Sequence, residues 1–170
     1  MPASDQKSSK KRYLFVSRTL IFLYHQDEIA LIKGAPHKRL WANKYNGIGG
    51  HVERGEDIFT SVARETFEET GLLLHEFHLC GLITIDVERE TGICIFVFKA
   101  EIKDQEVKLS EEGEIEWIPI HSILNLPLVE DLPVIIPLVI EHQPGDPTFS
   151  AHYSYDSHQK LAIHFFRPER

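Results

Sequence analysis

The sequence predicts an α/β fold, a mixed sheet held between two main helices as an α/β/α sandwich. Three observations carry that expectation. Runs rich in β-branched and aromatic residues flank an amphipathic helical stretch at Asp57–Thr70. A second stretch, Leu132–Glu141, is densely apolar and reads as a helix covering the sheet's other face. The chain then closes with two short strand-like runs, Phe149–Tyr155 and Lys160–Phe166, around Asp156-Ser157-His158.

Taken in order, Met1–Arg12 is polar and rich in Ser and Lys, a flexible tail ahead of one domain spanning 13–170. Its basic residues Lys7, Lys10, Lys11 and Arg12 are too few to signal a nucleic-acid role. Tyr13–Tyr24 reads as a long strand, and Glu28–Lys33, across a Gln26-Asp27 turn, as its hairpin partner. Gly34–Lys44 is a loop. Lys33, Lys38, Arg39 and Lys44 gather positive charge around it, and Lys44 is the candidate to face phosphate. Lys44–Gly50 is a short extended segment whose glycines permit close backbone approach. Asp57 suits the N-terminus of the following helix and Gly71 its stop. Leu72–Asp86 holds at least one strand, Glu88–Gly92 a turn, and Ile93–Ile102 an apolar strand long enough to be central. Asp104–Glu111 is a polar loop, and Glu114–Ile118 alternates like an edge strand. Asp131 can cap the second helix with Pro133 in its first turn, and Pro137 distorts it only locally.

A chain of 170 residues, 42% hydrophobic and 26% charged, has room for a real core. Its formal net charge of −8 is the wrong sign for a nucleic-acid binder, so no stable nucleic-acid partner is expected. The same charge opposes a polyphosphate unless a divalent metal intervenes. Cys80 and Cys94 lie in apolar runs and are expected as free thiols; the ten histidines form no zinc-ligand pattern. No apolar run is long enough to span a bilayer and no secretory pattern follows the tail, so a cytoplasmic protein without membrane association is expected. The oligomeric state stays open.

The acids of the first helix are spaced for a purpose. Glu65, Glu68 and Glu69 stand at i, i+3 and i+4, on one helical face, where they repel one another. A cation is the simplest remedy, and an all-oxygen site suits Mg²⁺ or Mn²⁺. At roughly 100° per residue, Ile58, Phe59, Val62, Ala63, Thr66, Phe67 and Thr70 form the core half. Glu69 then falls just inside its edge, Glu65 just outside, and Glu68 further round. Acids on that border are expensive to bury without a partner. A carbonyl of Gly49 or Gly50 is a candidate ligand beside them, and Glu112 or Glu114 a loop carboxylate able to join from outside the helix. Asn46 before Gly47 suits a turn, or an amide that reads a base edge.

Gly50, five residues, Glu56, seven residues, Arg64-Glu65, two residues, Glu68-Glu69, one residue, Gly71-Leu72: the pattern resembles the Nudix box. It departs at Thr66, where the family usually carries an aliphatic residue. The resemblance implies the same α/β/α sandwich and Mg²⁺-dependent cleavage of a nucleoside diphosphate linkage by water attack at phosphorus. Carried across, it implies Glu65 and Glu69 as metal ligands, with Glu68 a third and the Gly50 or Gly49 carbonyl beside them. Glu112 becomes ligand or general base, with Glu114 as alternate, and Glu56 with Arg64 holds the carboxylates in place. Glu65, Glu68, Arg64 and Glu112 make up the catalytic set.

The segment KYNGIGGHVERGE, the Glu112-to-Trp117 spacing, IPLVI and FSAHYSYD are similar to the 8-oxo-dGTP diphosphatases of that family. In them an Asn at the Asn46 position and an Asp near the Asp131 position hydrogen-bond the purine, and aromatic residues complete the pocket. Leu128 or Val129 stands where the best-known member has Trp. The proline of ADP-ribose hydrolases and the zinc cluster of NADH-type enzymes are missing. The resemblance thus implies a nucleotide substrate, an oxidised purine nucleoside triphosphate such as 8-oxo-dGTP giving monophosphate and pyrophosphate. The alternatives are a broad pyrophosphatase of nucleoside triphosphates or nucleoside diphosphate-X compounds, and an inactive nucleotide sensor.

Overall fold

Strand β1 (Leu14–His25) sets the frame of the computed structural model, which describes residues 12–37, 39–103, 105 and 113–166. Its hairpin partner β2 (Glu28–Gly34) and the short β3 (Tyr45–Asn46) precede helix α1 (Ile58–Thr70). Strands β4 (His78–Asp86), β5 (Thr91–Glu101) and β6 (Gly113–Pro119) follow. A 3-10 helix at Ile120–Asn125, which the sequence did not announce, leads to α2 (Leu132–Glu141). Strands β7 (Phe149–Tyr155) and β8 (Leu161–Phe165) close the chain. The expectations for Lys7, Lys10, Lys11, Lys38 and Glu112, and for most of the loop 104–111, lie outside the described residues.

The strands form one mixed sheet in the order β3-β2-β1-β5-β4-β7-β8, with β6 on β2's other edge. Strand β5 is central as expected, parallel to β1 on one edge and antiparallel to β4 on the other. A strand paired on both edges and covered on both faces is apolar along its middle, as 93–98 is here.

Alternation of side chains divides the core into two. Leu20, Phe22, Ile29 and Leu31 pack with Leu132, Ile135, Ile136 and Val139 of α2. Ile21, Leu23, Ala30 and Ile32 pack with Val62 of α1. The helices therefore cover opposite faces, which is the predicted sandwich. Among the described residues no helix is long and apolar enough to cross a membrane. Both cysteines are free thiols.

The ends of α1 follow from its sequence. Asp57 Oδ1 accepts from the N–H groups of Phe59 (2.8 Å) and Thr60 (3.1 Å). Gly71, at φ 75°, donates its N–H to Phe67 O and turns the chain out of the helix. Thr66 is fully buried and its hydroxyl donates to Val62 O at 2.7 Å. A polar residue therefore fits where an aliphatic one is usual.

The rotation of α1 corrects the helical-wheel expectation. The wheel puts Phe59 and Phe67 in the core half, yet they stay 47% and 45% exposed, while Ser61 is fully buried. The buried arc runs through Ser61, Val62, Thr66, Glu69 and Thr70. Its centre lies nearer the acids than the apolar residues alone indicate, because of what lies beneath the helix.

Candidate active site

What lies beneath is the segment that enters α1. Thr19 N–H donates to Gly50 O (2.9 Å), Ile21 and Ile48 exchange bonds of 2.7 and 3.1 Å, and Val52 N–H donates to Ser17 O (3.0 Å). Residues 48–52 thus run along β1 like an added strand. Ser61 of α1 reaches this segment, its hydroxyl donating to His51 O at 3.4 Å.

Two glycines make the approach close. Gly49 has φ 148°, and a Cβ there would lie 2.1 Å from Thr19 O. A Cβ on Gly50 would lie 2.3 Å from Oε1 of Glu65. The Glu65 carboxylate therefore rests against bare main chain, where only glycine leaves it room.

Arg64 organises the acids. Its Nε and Nη2 grip Oε1 and Oε2 of Glu56 at 2.6 and 3.1 Å, a two-pronged pair. Nη1 donates to Glu65 Oε1 (2.8 Å) and Glu68 Oε2 (3.0 Å), and Nη2 also to His51 O (3.0 Å). The Arg64 hydrogen bond, helped by the Glu53 N–H, brings the Glu56 carboxyl down to about 2. In return Glu56, ahead of Glu65, holds the guanidinium firmly charged. Glu69 is buried, Glu65 keeps 13% of its side chain exposed, and Glu68 keeps 55%. Glu65 thus lies further inside than its expected place beyond the core's edge.

The donor set fits a hard divalent cation: carboxylate oxygens and a main-chain carbonyl beside a cradle that a Cβ would fill. Glu65, Glu68, Glu69 and the Gly50 carbonyl are the groups that would hold it. Gly50 O already accepts from Thr19 N–H and keeps a second lone pair. Among the described residues no three His, Cys, Asp or Glu are gathered closely enough to form a metal centre as they stand. Glu112, the expected carboxylate from outside the helix, lies outside the described residues. Its alternate Glu114 stands on β6 opposite Lys33.

Asn46 and Asp131 come to adjoining segments. Tyr45 N–H donates to Pro127 O (2.9 Å) and Val129 N–H to Tyr45 O (3.0 Å), tying β3 to the approach to α2. Asn46 Oδ1 accepts from Gly47 N–H at 2.9 Å, the turn role its position suggested. Lys44 is ion-paired with Glu130 at 3.8 Å. Leu128 and Val129 are buried in the core alongside Tyr45.

Asp131 corrects a second expectation, because it makes no capping bond to α2. Its backbone is already helical (φ −90°, ψ −23°), whereas a capping side chain needs extended backbone to turn back over the first N–H groups. Its Oδ2 instead accepts the Tyr153 hydroxyl at 3.3 Å. Burial pushes the Asp131 carboxyl up, with its own backbone N–H and then the Tyr153 bond working against that rise.

One cluster was missed by sequence reasoning. The Tyr45 hydroxyl donates to Glu116 Oε2 (2.7 Å), and Lys33 Nζ lies 3.5 Å from Glu116 Oε1 and 5.4 Å from the Tyr45 ring. The alternation of acids with apolar residues along β6 was the available signal.

Comparison with known proteins extends this picture. A family model described as NUDIX domain matches residues 14–139. A Danio rerio protein named oxidized purine nucleoside triphosphate hydrolase is 26% identical over 152 residues, covering 89% of this chain and 95% of its own. An uncharacterized Nudix hydrolase of Bacillus subtilis, YvcI, is 30% identical over 119 residues, covering 67% and 73%. A solved MutT protein from Bacillus halodurans aligns with a TM-score of 0.75 at 23% identity, over 92% of this chain and 100% of its own.

Proposed function

The chain belongs to the Nudix family, and on that premise we propose an Mg²⁺- or Mn²⁺-dependent hydrolase that converts a nucleoside triphosphate to its monophosphate and pyrophosphate. The observation that carries the reading is the carboxylate row of α1 seated on Gly50 and organised by Arg64. A divalent cation held by Glu65, Glu68, Glu69 and the Gly50 carbonyl would neutralise charge on the diphosphate and acidify the attacking water. Arg64 keeps Glu65 and Glu68 in register, and Glu56 keeps Arg64 in place. Glu112, or Glu114 in its stead, takes the proton from the attacking water. Asn46 and Asp131 read the base, and Lys44 offers its ammonium to phosphate. A cytoplasmic location belongs to the same reading.

The oxidised-purine preference draws support from the names of the Danio rerio relative and of a Mus musculus relative 24% identical over 150 residues. A second reading, a pyrophosphatase of broad base preference, is favoured by one observation. Where the best-known diphosphatase has Trp, Leu128 and Val129 are aliphatic and turned into the core. A panel of oxidised and normal nucleotides, scored for pyrophosphate against orthophosphate release, separates the two. Preference for 8-oxo-dGTP with pyrophosphate release supports the first reading, and equal turnover across bases the second. Failure to turn over any nucleotide refutes both.

A further inference from the structure

We propose that Thr19 is a positioning residue of the metal site: its hydroxyl, buried and without a hydrogen-bond partner among the described residues, donates to the Glu65 carboxylate once that carboxylate turns to hold a divalent cation. The inference rests on the reading above that the acids of α1 hold such a cation, and it adds a residue of β1 to the groups acting on them.

Strand register puts the hydroxyl beside that carboxylate. Arg18 is bridged to His51 and Ile21 to Ile48, both antiparallel, so Thr19 stands opposite Gly50. Residues directly opposite in an antiparallel pair carry their side chains on one face. Here it is the face toward α1, since Ile21 and Ile48, two positions along, pack with Val62. The nearest cross-strand neighbour of the Thr19 side chain is therefore the space a side chain on Gly50 would fill. The Glu65 carboxylate occupies it, both oxygens and Cδ crowding a Cβ built there. The Thr19 N–H meanwhile donates to Gly50 O at 2.9 Å. One residue of β1 thus addresses two of the groups proposed to hold the cation, a carbonyl through its main chain and a carboxylate through its hydroxyl.

The hydroxyl is costly as it stands. Thr19 is 3% exposed, and its Oγ1 is sealed from solvent with nothing to bond. A hydroxyl in that position gives up its hydration and gains no partner in return. Thr66 and Thr70 show the contrast, each buried hydroxyl donating to a carbonyl one turn back, at 2.7 and 2.6 Å. Further along the same face of β1 stand Ile21 and Leu23, and a valine at 19 would fill nearly the same shape without an orphaned oxygen. A carboxylate has about four lone-pair sites on its two oxygens. Arg64 Nη1 takes one of them on Glu65 Oε1 at 2.8 Å. A second donor, from the strand rather than the helix, fixes the rotation of the carboxylate, as outer partners do for the ligands of a metal. The effect therefore falls on metal affinity.

The test follows Mn²⁺ binding to the nucleotide-free protein through the paramagnetic resonance signal of free Mn²⁺, alongside melting in EDTA. Wild type is compared with Thr19→Val, Thr19→Ser and Glu69→Gln. Thr19→Val removes the hydroxyl and keeps the shape, and it should weaken Mn²⁺ binding about tenfold. Its melting in EDTA should stay at or above wild type, because an orphaned polar atom has gone. The Mg²⁺ needed for half-maximal turnover should rise about tenfold as well. Thr19→Ser keeps the donor and should bind Mn²⁺ as wild type does. A purely structural hydroxyl predicts unchanged Mn²⁺ affinity in Thr19→Val. That result overturns the proposal, as does an equal loss in Thr19→Ser or a loss accompanied by lower melting in EDTA. If Glu69→Gln weakens Mn²⁺ binding and Thr19→Val does not, only the role of Thr19 falls. If neither does, the metal reading falls with it.

Discussion

Replacing Gly50 with alanine asks whether the carboxylate row must lie against bare main chain. The new Cβ would stand 2.3 Å from Oε1 and 2.4 Å from Cδ of Glu65. Comfortable contact between such atoms is about 3.5 Å, so Glu65 must retreat by roughly 1 Å. Its carboxylate ends a flexible side chain, and the fold can yield there without moving backbone. A displacement of roughly 1 Å in a catalytic group costs on the order of 10²-fold in rate. We expect Gly50→Ala to fold, to melt near wild type and to lose about 10²-fold in kcat. Gly49→Ala is the control. There the added Cβ meets Thr19 O, a main-chain atom 2.1 Å away, and φ is 148°. That variant should lose about 1–3 kcal/mol of stability. In a domain of this size the melting temperature should fall by roughly 3–10 °C. Steady-state kinetics and calorimetry read the two effects separately. Wild-type kcat in Gly50→Ala would refute the placement of the reacting groups beside that glycine.

Four further outcomes are expected. Glu69→Gln should keep its fold and lose most turnover in a Mg²⁺ titration; full activity there, or in EDTA, excludes the metal role. Glu112→Gln should lower kcat far more than it changes KM, by roughly 10²-fold; the same defect in Glu114→Gln alone assigns the role to that residue instead. The Glu56 carboxyl, depressed to about 2 by Arg64, adds stability that is full above the ordinary carboxylate range and is lost as pH falls toward about 2. Arg64→Met should therefore move the acid unfolding limb, followed by circular dichroism, to higher pH, and superimposable limbs would count against the pairing. Asn46→Ala should reduce the preference for 8-oxo-dGTP over dGTP about tenfold, and an unchanged ratio removes Asn46 from the base contact.

Local signals carried much of the fold in the sequence. Asp57 and Gly71 mark the ends of α1 because capping is decided within a few residues, and the limits of α2 and β7 were legible for similar reasons. The first acids of the site were legible through their spacing on one helix. What escaped depends on distant partners. The rotation of α1 is set by residues 48–52 seated on β1, so a helical wheel scored by hydrophobicity put Phe59 and Phe67 inside. Asp131 resembles an N-cap until its own helical backbone and Tyr153, on another strand, are known. The Lys33–Tyr45–Glu116 cluster joins three strands, and the alternation along β6 marks Glu116 without naming its distant partners.

The pairing of β1 has a consequence for how the chain is made. Its neighbour β2 matches only its last residues, Leu23 to His25. The full length is matched by β5, Leu14 lying opposite Thr91 and Tyr24 opposite Glu101. On a ribosome adding roughly 5–20 residues per second, β1 emerges several seconds before its partner exists. Everything between them, including Gly50 and α1, is the crossover that joins the two parallel strands. Such non-local closure is slow, and β6, β7 and β8 can join the sheet only later still. A nascent chain stalled before β5 would therefore expose the apolar run Leu20–Leu23 and have no assembled active site.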